Sequence, residues 1–333
     1  MEKMVSIPGK LNEMNVISSL EEMMQFLEEP RVLIDFSNVA YVWPFGTLIL
    51  AEGIKEFVSY RKRNGLDTNL RPCERIDNEE GTPLSYLRFF HFFDYVDAPC
   101  GRDISPAAVG KGYIPITEIT KQELIERAGS ERKIQDAIED LCTEIAGNLV
   151  NERNMYIENT ITYCFREIIR NTFEHAQINS CTIMAQSWRR NNDFEVALVD
   201  NGVGILSTIK QQHEVRITED ALDLSLSPGT SGAAYNPSDD KWGNTGFGLY
   251  ILSELGKKYG TFSIYSSGVL IQIRGDKKTY TDITIGGTGV KLCMNLDDAE
   301  YFPNIREFII QRGEKMSSVG PGTIQKASKK SRS

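Results

Sequence analysis

Leu198-Val199-Asp200-Asn201-Gly202-Val203-Gly204-Ile205 is the stretch on which the reading turns. An apolar strand runs into an acid, and two glycines follow. An aspartate at a strand end can accept a hydrogen bond from an exocyclic amine such as that of adenine. The glycines remove Cβ atoms where a flat ring would approach the backbone. By itself the stretch reads more readily as an Asx–Gly turn. Its neighbours in the chain decide between the two.

Upstream lies Arg166-Glu167-Ile168-Ile169-Arg170-Asn171, inside a helix marked by Ile157, Ile161, Phe165, Ile168 and Phe173. Glu167 and Asn171 are four apart and share a face, at the edge of the apolar stripe. A carboxylate beside a carboxamide can orient a water and bind magnesium through oxygen. Alone, the pair also describes a solvated helix face. Downstream, Gly243-Asn244-Thr245-Gly246-Phe247-Gly248-Leu249-Tyr250-Ile251-Leu252 opens an amphipathic helix with a glycine-rich loop. Backbone N–H groups at such a start bind phosphate oxygens. Gly286-Gly287-Thr288-Gly289 then precedes the last strand.

In this order the four segments resemble the GHKL ATP-binding fold of gyrase-type topoisomerases, heat-shock chaperone ATPases, mismatch-repair ATPases and histidine kinases. The resemblance covers roughly Glu131 to Asn295. It implies an α+β two-layer sandwich (the Bergerat fold), with ATP and Mg2+ as cofactors. Glu167 would be the catalytic base or water-positioning residue, and Asn171 would hold magnesium. Asp200 would read adenine, with Gly202 and Gly204 shaping its pocket. Gly246 and Gly248 would cradle phosphates, and Thr288 would support the aspartate. Leu206 to Trp242 would be a lid, with Lys241 in reach of a phosphate. Asn171-Thr172-Phe173-Glu174-His175 looks like the Asn-x-x-Glu-His pattern of anti-sigma-factor serine kinases. His91, in an aromatic cluster, lacks the surroundings of a phosphoacceptor histidine.

The first hundred residues alternate strand and helix patterns: Met4 to Ile7, Met14 to Leu27, Arg31 to Phe36, Gly46 to Arg63 and Leu84 to Val96. Strands separated by helices of this length predict an α/β layer. Val32 to Gly46 resembles the core strand and loop of STAS domains, the fold of anti-sigma-factor antagonists. Where that family carries a phosphorylated hydroxyl before glycine, this chain has Trp43-Pro44-Phe45-Gly46. Phe45 cannot take a phosphate, so the triplet is either a docking surface or packed at a strand end. The expected domains are 1–98 (STAS-like), 99–130 (linker and short helix), 131–297 (GHKL), 298–316 (helix) and 317–333 (disordered tail).

The chain has 333 residues, 41% hydrophobic and 25% charged, with a net charge of −9. These are globular proportions. The acidic balance argues against nucleic acid as a partner, which needs clustered Lys and Arg. No apolar run reaches the roughly 18 to 20 residues that span a bilayer, and no signal peptide is visible. The expectation is a cytoplasmic protein without membrane contact. The six cysteines and three histidines are scattered and show no metal spacing. Three functions follow: an ATPase or Ser/Thr protein kinase acting as a regulatory switch, a non-catalytic ATP-gated interaction module, and, least favoured, a nucleic-acid-linked ATPase. A protein partner at the STAS-like unit and a homodimer through Ile134 to Leu149 or the N-terminal unit complete the expectations.

Overall fold

The computed structural model describes residues 2–71, 83–97, 112–150, 154–175, 178–188, 190–230, 245–317, 326–328 and 332. The N-terminal part runs β1 (Lys3–Ser6), β2 (Lys10–Leu11), α1 (Glu13–Gln25), β3 (Arg31–Asp35), β4 (Tyr41–Val42), α2 (Pro44–Arg63), β5 (Asp67–Arg71), α3 (Pro83–Phe89) and α4 (Phe92–Tyr95). Then come β6 (Tyr113–Thr120), α5 (Lys121–Ala128), α6 (Ile134–Leu149), α7 (Met155–His175), β7 (Ser180–Trp188) and β8 (Asp193–Asp200). The chain closes with α8 (Ile205–Ile209), α9 (Thr218–Ser225), α10 (Gly248–Tyr259), β9 (Gly260–Ser266), β10 (Val269–Arg274), β11 (Lys277–Asp282), β12 (Thr288–Asn295) and α11 (Phe302–Ser317).

The N-terminal unit is a parallel sheet ordered β1-β3-β5, with α1 and α2 as its crossovers. The larger unit is a seven-stranded sheet ordered β11-β10-β9-β12-β8-β7-β6. Every neighbouring pair in it is antiparallel. The protein is therefore mixed α/β with a large antiparallel sheet.

One face of that sheet buries the apolar stripes of α6, α7 and α10. Ile138, Cys142 and Ile145 of α6 and Ile161, Phe165 and Ile168 of α7 share one core with Val196, Leu198, Ile264 and Leu292 of the sheet. The stripe of α6, one expected dimer surface, is thus consumed inside the chain. Strand alternation sends Met184, Ala197, Val199, Tyr265 and Leu270 to the opposite face. There they pack against Phe45, Leu48 and Ile49 of α2. A sheet covered on both faces reads as near-continuous apolar runs, as Phe194 to Val199 does apart from Glu195. Each buried Leu, Ile or Phe contributes about 1.5–3 kcal/mol, so the N-terminal unit is fastened to the sheet.

Phe45 is completely buried, with its ring 5.9 Å from that of Tyr265. Of the two readings of Trp43-Pro44-Phe45, the packed one holds for Phe45, and the docking it performs is internal. α2 begins at Pro44 with no capping side chain of its own. Its Phe45 N–H donates instead to Oε1 of Glu195, 150 residues away on β8, at 3.0 Å. A carboxylate there also meets the positive end of the helix.

Two expectations need correction. Residues 113–120, read as part of a linker, form edge strand β6. Its Pro115 misled the reading: proline lacks the ladder N–H but is tolerated at an edge, and the β6–β7 register shifts between Ile114 and Thr117. The tail, read as disordered from 317, has Ala327 and Ser328 buried, and the Ala327 N–H donates to Glu314 Oε1 at 3.0 Å. No helix among the described residues is long and apolar enough to cross a membrane.

Candidate functional site

A cavity of about 740 Å³, counted to its open mouth, lies over the ends of β8, β9 and β12. α7 and the start of α10 wall one side, and α8 and α9 the other. Asp200, Asn171, Gly204, Gly246, Gly248 and Thr288 all line it. Six of the eight residues singled out from the sequence therefore converge, from segments up to 117 positions apart in the chain.

Asp200 ends β8 with its side chain on the cavity face and is 5% exposed. Gly202 N–H donates to its Oδ1 at 2.8 Å. Gly202 is thus its hydrogen-bond partner and does not line the cavity. Burial pushes the Asp200 carboxyl up to about 6, against the pull of the Gly202 and Thr288 backbone amides. Glu52, behind the sheet, pushes the same way. Among the described residues no Lys or Arg forms an ion pair with it.

Thr288 pairs with Asp200 across the β12–β8 ladder. Its hydroxyl lies 3.2 Å from Ser266 Oγ, so only its backbone amide meets the aspartate. Ser266 was not singled out from the sequence. It accepts from Ile205 N–H at 2.8 Å and fixes the turn after Asp200. Its one signal is a polar residue closing the apolar strand Thr261 to Tyr265.

Gly204 has φ +79°, and a Cβ there would stand 2.4 Å from Ser267 Oγ. Gly246 has φ +69°, and a Cβ would reach 2.2 Å from the Thr230 carbonyl oxygen. Gly229 N–H donates back to the Gly246 carbonyl at 3.2 Å. The glycines therefore let the arm from α9 close against the loop before α10. Gly248 begins α10 so near α7 that a Cβ would lie 2.6 Å from Glu167 Oε2.

Glu167 itself does not line the cavity. It is 4% exposed and lies behind Gly248. Its Oε1 accepts from Arg166 Nε at 3.3 Å and Nη2 at 3.2 Å, and Arg166 also pairs with Glu139 at 3.2 Å. One carboxylate oxygen is thus held by a buried guanidinium and the other faces Gly248. Asn171 lines the cavity one helical turn on. Its Nδ2 is buried and has no hydrogen-bond partner among the described residues, an arrangement that costs about 1–3 kcal/mol unless a ligand meets it.

The expected lid begins with two ordered helices. α8 and α9 bring Thr208, Ile209 and Ser225 to the wall, and Thr230 follows. Spacing alone gave none of these four. Asp223 of α9 is tied to the β11 hairpin by Lys278 and by the Tyr280 hydroxyl at 2.8 Å. Lys241 and the rest of 231–244 lie outside the described residues.

No group of three His, Cys, Asp or Glu among the described residues could hold a metal by itself. Magnesium asks less: one or two protein oxygens, with phosphates and water completing the shell. Asn171, on the cavity wall, could offer its Oδ1 as one such oxygen, while its unpartnered Nδ2 is a donor that suits a ligand oxygen.

No protein-family model matches the chain, and no curated protein matches it. Among solved structures it is similar to the ATPase region of Saccharomyces cerevisiae topoisomerase II bound to ICRF-187 (dexrazoxane). The identity is 14%, the TM-score is 0.24, and the match covers 42% of this chain and 39% of that one. The chain thus spans about two fifths of that structure's length.

Proposed function

We propose that the cavity binds ATP with Mg2+, and that the chain is a GHKL-type protein using the bound nucleotide as a regulatory switch. One observation carries the reading: Asp200 is a buried acid on the cavity floor with no cation paired to it among the described residues. Keeping such a group ionised costs free energy unless donors meet it, and an adenine amine is a donor of the right size and polarity. Gly204 lines the cavity in a turn packed against Ser266 and Ser267, and Gly202 holds the carboxylate in place. The backbone amides at the start of α10, which follows Gly246 and begins at Gly248, suit phosphate oxygens.

Asn171 would hold the magnesium ion, which neutralises charge on the phosphates when bound. Glu167, ion-paired with Arg166, would orient the attacking water or a partner's Ser or Thr hydroxyl. The N-terminal unit, read as STAS-like, would carry the response to a partner protein on surfaces other than its buried Phe45.

Calorimetric titration with ATP and magnesium, followed by phosphate release, tests this. ATP is expected to bind and GTP to bind poorly. Glu167→Ala should still bind ATP while turnover falls about 100-fold or more. Binding without magnesium-dependent turnover, alone or with candidate partners, would leave a non-catalytic ATP-gated module. No heat with ATP would end the reading.

The pH dependence has a definite sign. The folded Asp200 carboxyl titrates near 6, above its ordinary 3.8. The free protein therefore takes up a proton between pH 6 and 4 that the unfolded chain lacks, and this group's contribution to stability rises as pH falls through that window. An amine needs the ionised form. ATP affinity is expected to fall about tenfold per pH unit below 6, measurable by calorimetry between pH 5 and 7.5.

A further inference from the structure

We propose that Glu52, on helix α2 of the N-terminal unit, is a positioning residue for the nucleotide site. It holds from behind the sheet the turn that presents Asp200 in front. The proposal rests on the nucleotide reading above and adds to it that the site is built by both units.

Strand alternation sets up the arrangement. Asp200 faces the cavity, so Asn201, the next residue, points to the other side of the sheet, where α2 lies. Asn201 Nδ2 donates to Glu52 Oε2 at 3.5 Å. The other carboxylate oxygen, Oε1, accepts from the Tyr95 hydroxyl, and that hydroxyl stands 3.1 Å from Thr182 Oγ1 on β7. Lys55, one turn along α2, sits over the Tyr95 ring at 3.9 Å. Glu52 is thus only 9% exposed and fixed from α4. Among the described residues it touches the site through Asn201, the residue beside the acid.

The helix carrying Glu52 is itself fixed to the site strands. β8, β12 and β9 supply Asp200, Thr288 and Ser266 to the front. On their back faces the same strands present Glu195, Lys291 and Ser263. Glu195 accepts the Phe45 N–H of α2, and Glu13 of α1 bonds Lys291 and Ser263. A shift of the N-terminal unit would move Glu52 against the Asp200 turn. The carboxylate also acts through space, since Glu52 is the acid whose charge opposes ionisation of Asp200. The other titratable groups around the pair are Tyr95, Tyr265, Glu118 and Cys181, with Lys55 over the Tyr95 ring.

The test is ATP titration of the full chain from pH 5 to 8, with thermal unfolding followed in parallel. Glu52→Gln keeps the shape and one acceptor oxygen, which can still meet Asn201 Nδ2 while its NH2 faces the Tyr95 hydroxyl, and removes the charge. The pH at which ATP affinity is half lost should drop, because Asp200 then ionises more easily. Glu52→Ala also removes the Asn201 contact and should weaken ATP about fivefold at pH 7.5, the equivalent of one ordinary hydrogen bond. A role limited to holding the fold would change affinity equally at every pH and leave the midpoint in place. That result, or wild-type affinity in Glu52→Ala, overturns the proposal while leaving ATP binding intact. No ATP binding by the wild type would remove the reading beneath it.

Discussion

Asp200→Asn is expected to weaken ATP binding at least about 100-fold while leaving the free protein as stable as wild type or more so. The two effects have one cause. In the native protein Asp200 is 5% exposed, and its carboxyl is pushed up to about 6. Holding it ionised at pH 7.5 costs the free protein on the order of 2–3 kcal/mol relative to the unfolded chain. The carboxamide has the same shape and can still accept from Gly202 N–H, so the turn survives and the burial cost of the charge disappears. A ligand amine, however, loses a charged acceptor and can meet an NH2 group instead. An ordinary core mutation loses stability and binding together. Here binding should fall as the unfolding temperature holds or rises, which calorimetry and a thermal melt at pH 7.5 would check. A variant that binds ATP like wild type removes Asp200 from the site.

The second large effect is structural. Lys291→Met is expected to destabilise the protein by about 3–5 kcal/mol at pH 7.5. Lys291 is 6% exposed on the back of β12, between Glu13 and Glu195, which are each 3% exposed. Its Nζ pairs with Glu13, whose Oε1 also accepts from Gln272 Nε2 at 2.7 Å and Ser263 Oγ at 3.1 Å. Burial would pull the Lys291 ammonium down, but Glu195 and Glu13 together raise it above its ordinary value. Burial pushes Glu195 up to about 7 even with this counter-charge present. Methionine fills similar volume but leaves two acids buried without a cation.

Both acids would then hold protons in the folded state that the unfolded chain releases near 4.5. The loss should therefore shrink as pH falls from 7.5 toward 5. Urea titrations at the two pH values measure it. A penalty below 1 kcal/mol at pH 7.5 would mean that the N-terminal unit is held by apolar contact alone.

Much of the candidate site's geometry was legible because the patterns behind it are local. An acid closing a strand, glycines in the next turn and a glycine pair opening a helix are short-range patterns. At Gly204 and Gly246 the glycine answers a positive φ and a close backbone neighbour. The Glu167–Asn171 pair was legible as one face of a helix, yet spacing could not separate their positions: Asn171 reaches the cavity, while Glu167 is turned to Arg166 behind Gly248. Ser266, Thr208 and Ser225 went unmarked because a lone hydroxyl in an apolar element carries no pattern. Strand β6 was hidden by Pro115, whose cost depends on whether the strand lies at an edge, and that is a property of the assembled sheet.

By itself, the sequence determined most of the helices and strands, β6 apart, and also where glycine is obligatory and which acid closes β8, since each follows from the conformational preferences of a few adjacent residues. Only the tertiary structure decided that α2 covers the back of the large sheet, that Glu195 caps a helix 150 residues away, and that Glu52 stands behind Asn201. Periodicity reports that a face is buried but not against what. The partner of a buried charge is set by where the folded chain crosses itself, and no run of neighbouring residues encodes that crossing.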